Sequence, residues 1–343
     1  MYGQTTLEPK YSVKETSFSD VRAAPLHTKF KTLAAYLNEM IVGQETLVNR
    51  LLIALLSDGH LLVEGAPGLA KTRAIKTLSD GIEASFHRVQ FTPDLLPADL
   101  TGTELYRMET GIFEFVGGPL FHNLILADEI NRAPAKVQSA LLEAMAEGQI
   151  TVGKKTYPLP SLFLVMATQN PIEQEGTYPL PEAQLDRFLL QVNVDYPDAA
   201  SELKIVTLAL KEAFAAKQAK YIERLKQEDI LQARQVVLDV YMSENILQYI
   251  VQLILATRHP EKYGKELASW IQYGASPRAT IGLARASKAL AFLSGKDYVG
   301  PEHVQAIAYD VLRHRLILTY KAEAEGITTD RCIQEIIAKV AVP

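Results

Sequence analysis

Strand-like segments alternate with amphipathic helical patterns through the first part of the chain. The strand-like segments, several of them continuous apolar runs, lie at residues 60–64, 85–90, 123–127, 162–167 and 189–194. Between and before them, apolar residues recur at helical spacing and predict helices near residues 30–40, 45–57, 71–79 and 136–147. Strands that alternate with helices predict an α/β fold, with a doubly wound parallel sheet covered by helices on both faces.

Two predicted hairpins interrupt this alternation. One pairs residues 104–107 with 112–116 around a turn at 109–111, and the other spans residues 149–157. After Pro197 the strand-like segments vanish and helical patterns dominate to the end. We therefore predict a flexible N-terminal tail, an α/β core and an all-helical lid domain, with the boundaries 1–25, 26–196 and 197–343.

Composition is that of an ordinary globular protein with enough apolar residues for a sizeable core. The chain has 343 residues, of which 48% are hydrophobic and 22% are charged, and its formal net charge is −5. The length favours two domains rather than one. Proteins that grip duplex DNA usually carry a basic balance or a basic stripe, and neither is evident, so we expect no nucleic-acid partner.

The single cysteine, Cys332, and the polar start of the chain bear on the compartment. One cysteine cannot form an intramolecular disulfide, which fits a reducing cytosol. Residues 1–16 lack the apolar segment of a secretory signal, and the longest apolar stretches are far too short to span a bilayer. We therefore expect a cytoplasmic protein without direct membrane insertion.

A glycine-rich loop lies between the strand at 60–64 and the helix that follows it. The loop and the start of the helix consist of Gly65, Ala66, Pro67, Gly68, Leu69, Ala70, Lys71 and Thr72. Such a loop directs backbone N–H groups inward, and the helix N-terminus adds the positive end of its dipole, so the segment is typical of a phosphate-binding site. We expect Lys71 to bridge the β- and γ-phosphates and the Thr72 hydroxyl to ligate Mg²⁺. Ala70 departs from the strict pattern, which has glycine there.

Two carboxylates, Asp128 and Glu129, end the apolar segment at residues 124–127. In a doubly wound sheet the carboxyl ends of the strands open into one crevice, so this pair is expected beside the phosphate loop. Asp128 is predicted to hold the magnesium ion through water, and Glu129 to polarise the attacking water.

Three further polar residues are candidates for contact with the γ-phosphate. Asn170 lies in the polar segment 168–171 that follows the strand at 162–167, and it is expected beside the two carboxylates. Arg187 precedes the last strand and is either an ordinary ion-paired surface residue or an arginine finger that supplies charge to the transition state. Arg278 follows Ser276-Pro277 at a predicted helix start, where a cation opposes the helix dipole and therefore hints at a bound anion.

In this order, these segments resemble the AAA+ ATPases, and specifically the MoxR family of the helix-2-insert superclade, which is related to the magnesium chelatase ATPase subunits. The resemblance covers nearly the whole chain after the tail. The segments that carry it are IVGQ at 41–44, GAPGLAKT at 65–72, LILADEINRAP at 124–134, ATQNP at 167–171, LPEAQLDRF at 180–188 and GASPRA at 274–279.

The resemblance implies a role for each of these segments. The adenine pocket would be lined by Ile41, Val42, Gly43 and Gln44. Residues 65–72 would be Walker A, and Asp128 with Glu129 would be Walker B. Asn170 would be sensor 1, Arg187 the arginine finger and Arg278 sensor 2. The hairpin around Gly111 would be the helix-2 insert, and the hairpin at 149–157 the pre-sensor-1 insertion.

The resemblance also implies an activity and partners. Such proteins hydrolyse ATP with Mg²⁺ and usually form hexameric rings. MoxR proteins act like chaperones on client protein complexes, and they are associated with partners that bear von Willebrand factor A domains. An ATP-driven remodeller of protein complexes is therefore the leading interpretation.

Other classes of function remain open at this point. Related AAA+ proteins include nucleic-acid motors, which the acidic balance disfavours, and chelatase-type subunits that insert a metal into a cofactor. A nucleotide switch without turnover is disfavoured because Glu129 and Arg187 are both present. A GTPase is disfavoured because the chain has no Asn-Lys pair of the guanine-reading motif.

Overall fold

The structure is a computed structural model that describes residues 20–66, 68–109, 111–170, 176–214 and 223–343. Its centre is a five-stranded sheet with the order β2-β5-β8-β1-β9, and every pairing in it is parallel. The strands are β1 (Leu61–Gly65), β2 (Phe86–Gln90), β5 (Leu124–Asp128), β8 (Leu164–Gln169) and β9 (Leu190–Val194). All five predicted strands of the core are therefore confirmed, each within two residues.

The strands point alternate side chains to opposite faces of the sheet, and each face packs on its own set of helices. Leu61 and Val63 belong to one hydrophobic cluster, and Leu62 between them belongs to the other. The first cluster also takes in α1 (Ala23–Met40), α2 (Glu45–Leu56) and α3 (Lys71–Gly81), whereas the second takes in α5 (Ala135–Glu147). Helices on both faces explain why these strands are apolar throughout.

The two predicted hairpins are present as separate antiparallel pairs. The first is β3 (Gly102–Arg107) with β4 (Ile112–Gly117), and the second is β6 (Gln149–Val152) with β7 (Lys155–Pro158). Thr110, within the predicted turn of the first, lies outside the described residues. Between β2 and β3 the chain forms the short helix α4 (Pro97–Thr101). Proline fits the first turn of a helix, where no intrahelical N–H is needed.

Helix α1 begins inside the segment that the sequence assigned to the tail. Asp20 starts the turn before it, because its carboxylate accepts a hydrogen bond from the Arg22 backbone N–H at 2.8 Å. Pro25 occupies the first turn, where a proline fits, and Ala23 is fully buried. The predicted end of the tail at residue 25 is therefore wrong for residues 23–25, while residues 1–19 lie outside the described part.

Helices make up most of the chain after Pro197, which confirms the helical lid. The core has one more short helix, α6 (Glu182–Leu185). The helices after Pro197 are α7 (Ala199–Phe214), α8 (Gln227–Asp239), α9 (Glu244–Arg258), α10 (Lys265–Trp270), α11 (Pro277–Leu293), α12 (Pro301–Leu312), α13 (Tyr320–Ala324) and α14 (Thr329–Lys339). One detail departs from an all-helical lid, since β10 (Ile271–Tyr273) pairs antiparallel with β11 (Ile317–Leu318).

The lid helices and the core share one hydrophobic cluster. Helices α8 and α11 pack against α1 and α2, and α12 packs against the edge strand β9. Side chains such as Leu52, Ile230 and Leu283, from α2, α8 and α11, are all buried in this cluster. Within the described ranges, no helix is both long and apolar enough to cross a membrane.

Candidate functional site

The glycine-rich loop connects the end of β1 to the first turn of α3. Its backbone is left-handed at Gly68 (φ 85°) and at Ala70 (φ 58°). Ala70 thus departs from the strict pattern at a position whose conformation favours glycine, at a steric cost of roughly 1–2 kcal/mol. Pro67, also predicted to bind the nucleotide, lies outside the described residues. Strain of this kind at a loop before a helix N-terminus is a feature of functional sites.

Gly65 and Lys71 set the geometry of the two ends of the loop. A Cβ atom on Gly65 would lie 2.6 Å from the carbonyl oxygen of Val194, so the close approach of β9 requires glycine there. Lys71 is buried, and its Nζ donates to the carbonyl oxygen of Gly65 at 2.5 Å. Burial lowers the pKa of Lys71, while Asp128 and Glu129 nearby act in the opposite direction. Those opposing effects show that the lysine and both carboxylates share one electrostatic environment.

Asp128 and Glu129 are held by the neighbouring strand β8. The buried Thr168 hydroxyl donates to Asp128 Oδ1 at 2.6 Å and accepts from the Glu129 backbone N–H at 2.9 Å. Glu129 is left-handed (φ 56°), which turns the chain sharply at the end of β5. Thr168 was not selected from the sequence, although a threonine in an otherwise apolar strand end was the available signal.

The edge strand β2 contributes two residues that sequence reasoning missed. Arg88 donates to Asp128 Oδ2 through Nη2 at 2.7 Å and Nε at 3.1 Å, and Gln90 donates to Glu129 Oε2 at 2.8 Å. Their two-residue spacing places them on the same face of β2. That spacing was visible in the sequence, but the pairing of β2 with β5 was not, because strand order is not a local property.

Asn170 directly follows β8, the strand that lies between β5 and β1 in the sheet. It is buried, with 7% of its surface exposed. Because the carboxyl ends of parallel strands share one edge, Asn170 stands at the same edge as the loop after β1 and the carboxylates after β5. The structure therefore brings together the sequence-predicted residues on these three strand ends.

Residues 41–44 border a cavity of about 180 Å³ beside the glycine-rich loop. Ile41, Val42 and Gln44 line the cavity, together with Gly68, Leu69, Ala70 and Arg73 on one side and with α7 side chains such as Ile205 and Leu208 on the other. Gly43 does not line it. A Cβ on Gly43 would lie 2.9 Å from the Cβ of Ser201, so this glycine permits the close approach of α7.

Arg187 lies at the amino ends of the strands, whereas the loop lies at their carboxyl ends. Arg187 precedes β9. The N–H of Leu189, two residues after it, donates to the carbonyl oxygen of His60, the residue just before β1. The length of β1, which ends at Gly65, therefore separates the start of β9 from the loop. Its five residues span about 16 Å at roughly 3.3 Å per residue. Arg187 Nη1 donates to the Leu142 carbonyl at 2.7 Å. Its guanidinium therefore contacts α5 rather than this chain's own phosphate loop.

Arg278 also lies at the amino ends of the strands, in the same cavity as Arg187 and away from this chain's own phosphate loop. Its Nη1 lies 3.8 Å from Asp186 Oδ2, and the Ser276 hydroxyl that caps its helix donates to the same carboxylate. This cavity of about 270 Å³ is lined by Arg187, Arg278, Arg285 and Arg315, and by two aspartates, Asp58 and Asp186. Helix α11 comes close to the start of β9, since a Cβ on Gly282 would lie 3.3 Å from Cδ1 of Leu189.

The predicted magnesium ligands Thr72 and Asp128 stand where the loop and β5 end, in the first turn of α3 and at the last position of β5. Among the residues described, no three His, Cys, Asp or Glu side chains cluster to form a complete metal cage. Mg²⁺ usually takes one or two protein oxygens, with phosphate and water completing the shell. A hydroxyl, a nearby carboxylate and a left-handed loop at a helix N-terminus fit that pattern.

Comparison with known proteins assigns the family. Residues 60–190 match the ATPase family associated with various cellular activities (AAA), and residues 267–336 match the AAA lid domain. Chaperone MoxR1 of Mycobacterium tuberculosis is 47% identical over 94% of this chain and 84% of its own length, and protein MoxR of Paracoccus denitrificans is 32% identical over 94% and 99%. A crystal structure assigned as an ATPase, from Cytophaga hutchinsonii, is 48% identical and superposes with a TM-score of 0.87 over 94% of this chain and 97% of that one. The chain belongs to the MoxR family of AAA+ ATPases.

Proposed function

We propose that this protein binds ATP and Mg²⁺ at the residues described, hydrolyses the ATP within a homo-oligomeric ring, and uses the cycle to remodel a client protein complex. One observation supports the ring. The proposed phosphate-binding residues lie at the carboxyl ends of the strands and the arginines at their amino ends, about 16 Å apart along β1. A transition state needs both sets, so a complete site takes its arginines from a second copy of the chain.

Each residue of the proposed site has a task that its position supports. Lys71, buried at the loop, binds the phosphates, while Thr72 and Asp128 hold the ion. Mg²⁺ bound there would neutralise developing phosphate charge. Glu129 orients and polarises the attacking water, and Asn170 positions it from the adjacent strand. The cavity beside residues 41–44 accommodates the adenine.

Arg187 and Arg278 are proposed to act on the neighbouring subunit. The cavity that they line carries four arginines against two aspartates, so its net charge suits an anionic phosphate chain presented by another copy. Arginine supplied in trans accelerates phosphoryl transfer by roughly a thousandfold or more where it operates. A hexamer is the proposed stoichiometry, from the family resemblance.

Mixing two inactive variants tests this proposal. Arg187→Ala retains Glu129 but lacks the finger, whereas Glu129→Gln retains the finger but lacks the base. In a mixed ring one kind of interface combines an intact Glu129 with an intact Arg187, so phosphate release should reappear and peak at intermediate ratios. Subunit exchange is verified by energy transfer between labelled subunits. Rings that exchange but never regain turnover would contradict a role in trans.

The hairpin β3–β4 supports a protein client. Its tip carries large apolar side chains that are exposed to solvent in the single chain: Met108 is 89%, Ile112 64% and Phe113 62% exposed. Exposed apolar surface marks a contact with protein or membrane. Arg107, the basic residue of the hairpin strands, is paired with Glu114 at 2.7 Å, which disfavours a nucleic-acid client at this element.

A partner with a von Willebrand factor A domain is part of the proposal, and it rests on the family resemblance. A pull-down with the Glu129→Gln variant as bait, in the presence of ATP, tests it. Recovery of such a protein that depends on ATP and on the hairpin supports the assignment. Recovery of nucleic acid instead, with strong stimulation of phosphate release by it, would favour the motor alternative.

A further inference from the structure

The Asp128 carboxylate is nearly filled by protein donors. Thr168 donates to Oδ1 at 2.6 Å, and Arg88 donates twice to Oδ2, at 2.7 and 3.1 Å. A carboxylate offers about four lone-pair sites, so three of them are occupied. Asp128 is also the residue proposed to hold magnesium through water, and a magnesium-bound water must donate to the same carboxylate.

Arg88 is held in this position from a second direction. Its Nη2 also donates to Gln90 Oε1 at 2.9 Å, on the same face of β2. The guanidinium is half exposed, with 50% of the side chain accessible, while the Asp128 side chain is 13% exposed. The contact is therefore an ion pair at the rim of the site that can open without disrupting the core.

The charge of Arg88 opposes a divalent cation at this carboxylate. Two cations that share one carboxylate repel each other, and the repulsion is reduced but not abolished by solvent at a half-exposed position. Lys71 already supplies one positive charge to the same region, since Asp128 acts on its pKa. A third cationic group raises the free energy of any state in which the ion is bound.

We infer that Arg88 competes with Mg²⁺ for Asp128, so that it sets the magnesium concentration at which the nucleotide site fills. This inference rests on the proposed function, because it takes Asp128 as the magnesium residue. Arg88 acts through Asp128 and touches no substrate, so it is a positioning residue. Without nucleotide it neutralises Asp128, and its ion pair with Asp128 weakens when the magnesium–nucleotide complex binds.

The test is a magnesium titration of nucleotide binding. A fluorescent ADP derivative is held at a fixed concentration, so that hydrolysis does not intervene, and the half-saturating Mg²⁺ concentration is read from the fluorescence. Arg88→Gln is expected to lower that concentration by about two- to fivefold, the range for an ion pair at a half-exposed position. Arg331→Gln is the matched control, because the Arg331 side chain is 53% exposed and pairs with Glu335 of its own helix, α14, which holds none of the proposed nucleotide or metal ligands. It should leave the half-saturating concentration unchanged.

Two more variants separate the possible outcomes. Asp128→Asn should raise the magnesium requirement. If it does, and Arg88→Gln needs as much Mg²⁺ as the unaltered protein or more, the competition is refuted and the proposed function stands. If Asp128→Asn has no effect on the requirement, the magnesium assignment fails and the inference fails with it. Arg88→Lys keeps the charge and loses the two-pronged contact, so its magnesium requirement should lie between those of Arg88→Gln and the unaltered protein. It serves as the test if Arg88→Gln does not fold.

Discussion

The guanidinium of Arg315 donates from Nε to Asp186 Oδ1 at 2.7 Å, which ties the lid to the residue just before Arg187. Only 3% of the Arg315 side chain is exposed, and it also donates to the Phe188 carbonyl at 2.6 Å. The turn that carries Arg187 is therefore bound by a buried group of the lid. Its position depends on how the lid packs.

Arg315→Met should destabilise the protein strongly. It removes one buried charged donor from both Asp186 and the Phe188 carbonyl, and loss of one partner of a buried ion pair costs about 3–5 kcal/mol. The midpoint of urea unfolding measures the effect. Arg331→Met, at an exposed position, should change the midpoint little, and an equal loss in both variants would contradict the buried-pair argument.

Lys71→Ala should lose most of its affinity for ATP while the fold remains intact. Lys71 is the cation of the proposed phosphate loop, and an ammonium to phosphate contact is a charge-assisted bond. Titration with a fluorescent ATP analogue measures the affinity. Lys76→Ala, at an exposed position on the same helix, is the control and should bind as the unaltered protein does. Unchanged affinity in Lys71→Ala would remove the phosphate-loop assignment.

Ala70→Gly should not destabilise the protein, although glycine usually weakens a structure. The left-handed conformation costs alanine roughly 1–2 kcal/mol, which glycine avoids, and the entropy lost by glycine on folding is about 0.5–1 kcal/mol. Ala74 is buried inside α3, the helix that Ala70 precedes, and is not left-handed. Ala74→Gly therefore has no such compensation and should lower the midpoint of unfolding. A larger loss in Ala70→Gly than in Ala74→Gly would show that the strain is not real.

Deleting residues 109–112 should spare basal ATP hydrolysis and remove stimulation by a client. The deletion takes away the tip of the exposed hairpin and none of the proposed phosphate or metal ligands. Phosphate release with and without the client measures both effects. A folded deletion variant that no longer binds ATP would show that the hairpin belongs to the nucleotide site.

Stability should fall as pH decreases below about 6.5, partly because of His60. Burial lowers the pKa of His60 from 6.5 to about 4, so between these values the unfolded chain binds a proton that the folded chain refuses. The neutral ring is fixed by two contacts, because Nδ1 accepts from the Val165 N–H and Nε2 donates to the Met145 carbonyl. The loss is about 1.4 kcal/mol per pH unit and about 3 kcal/mol over the whole window.

Urea unfolding at pH 7 and pH 5 measures this dependence. His60→Gln should be less stable at pH 7 but should lose less on going to pH 5. His314, also buried with a lowered pKa, retains its share of the dependence in that variant. An identical pH dependence with and without His60 would contradict the assignment.

The parts of the site that could be predicted from sequence are polar segments that directly follow one apolar strand. The loop at 65–72 and the pair Asp128–Glu129 each follow a continuous apolar run, so the run itself indicates where the polar group emerges. Arg88 was missed because its role depends on which strand lies beside β5, and this is a long-range property. The location of Arg278 at the amino ends of the strands could not be predicted, because its local signal, a helix start, does not reveal the surface on which the helix packs.

The shared cluster of lid and core has a consequence for how the chain folds and moves. A fragment that ended at residue 197 would expose to water the faces of α1 and α2 that α8 and α11 cover, including that of Leu52. Lid and core should therefore melt together in one transition, and neither half should be obtainable alone as a stable protein. Motion driven by the nucleotide would then displace whole subunits against one another rather than swing a lid on a hinge.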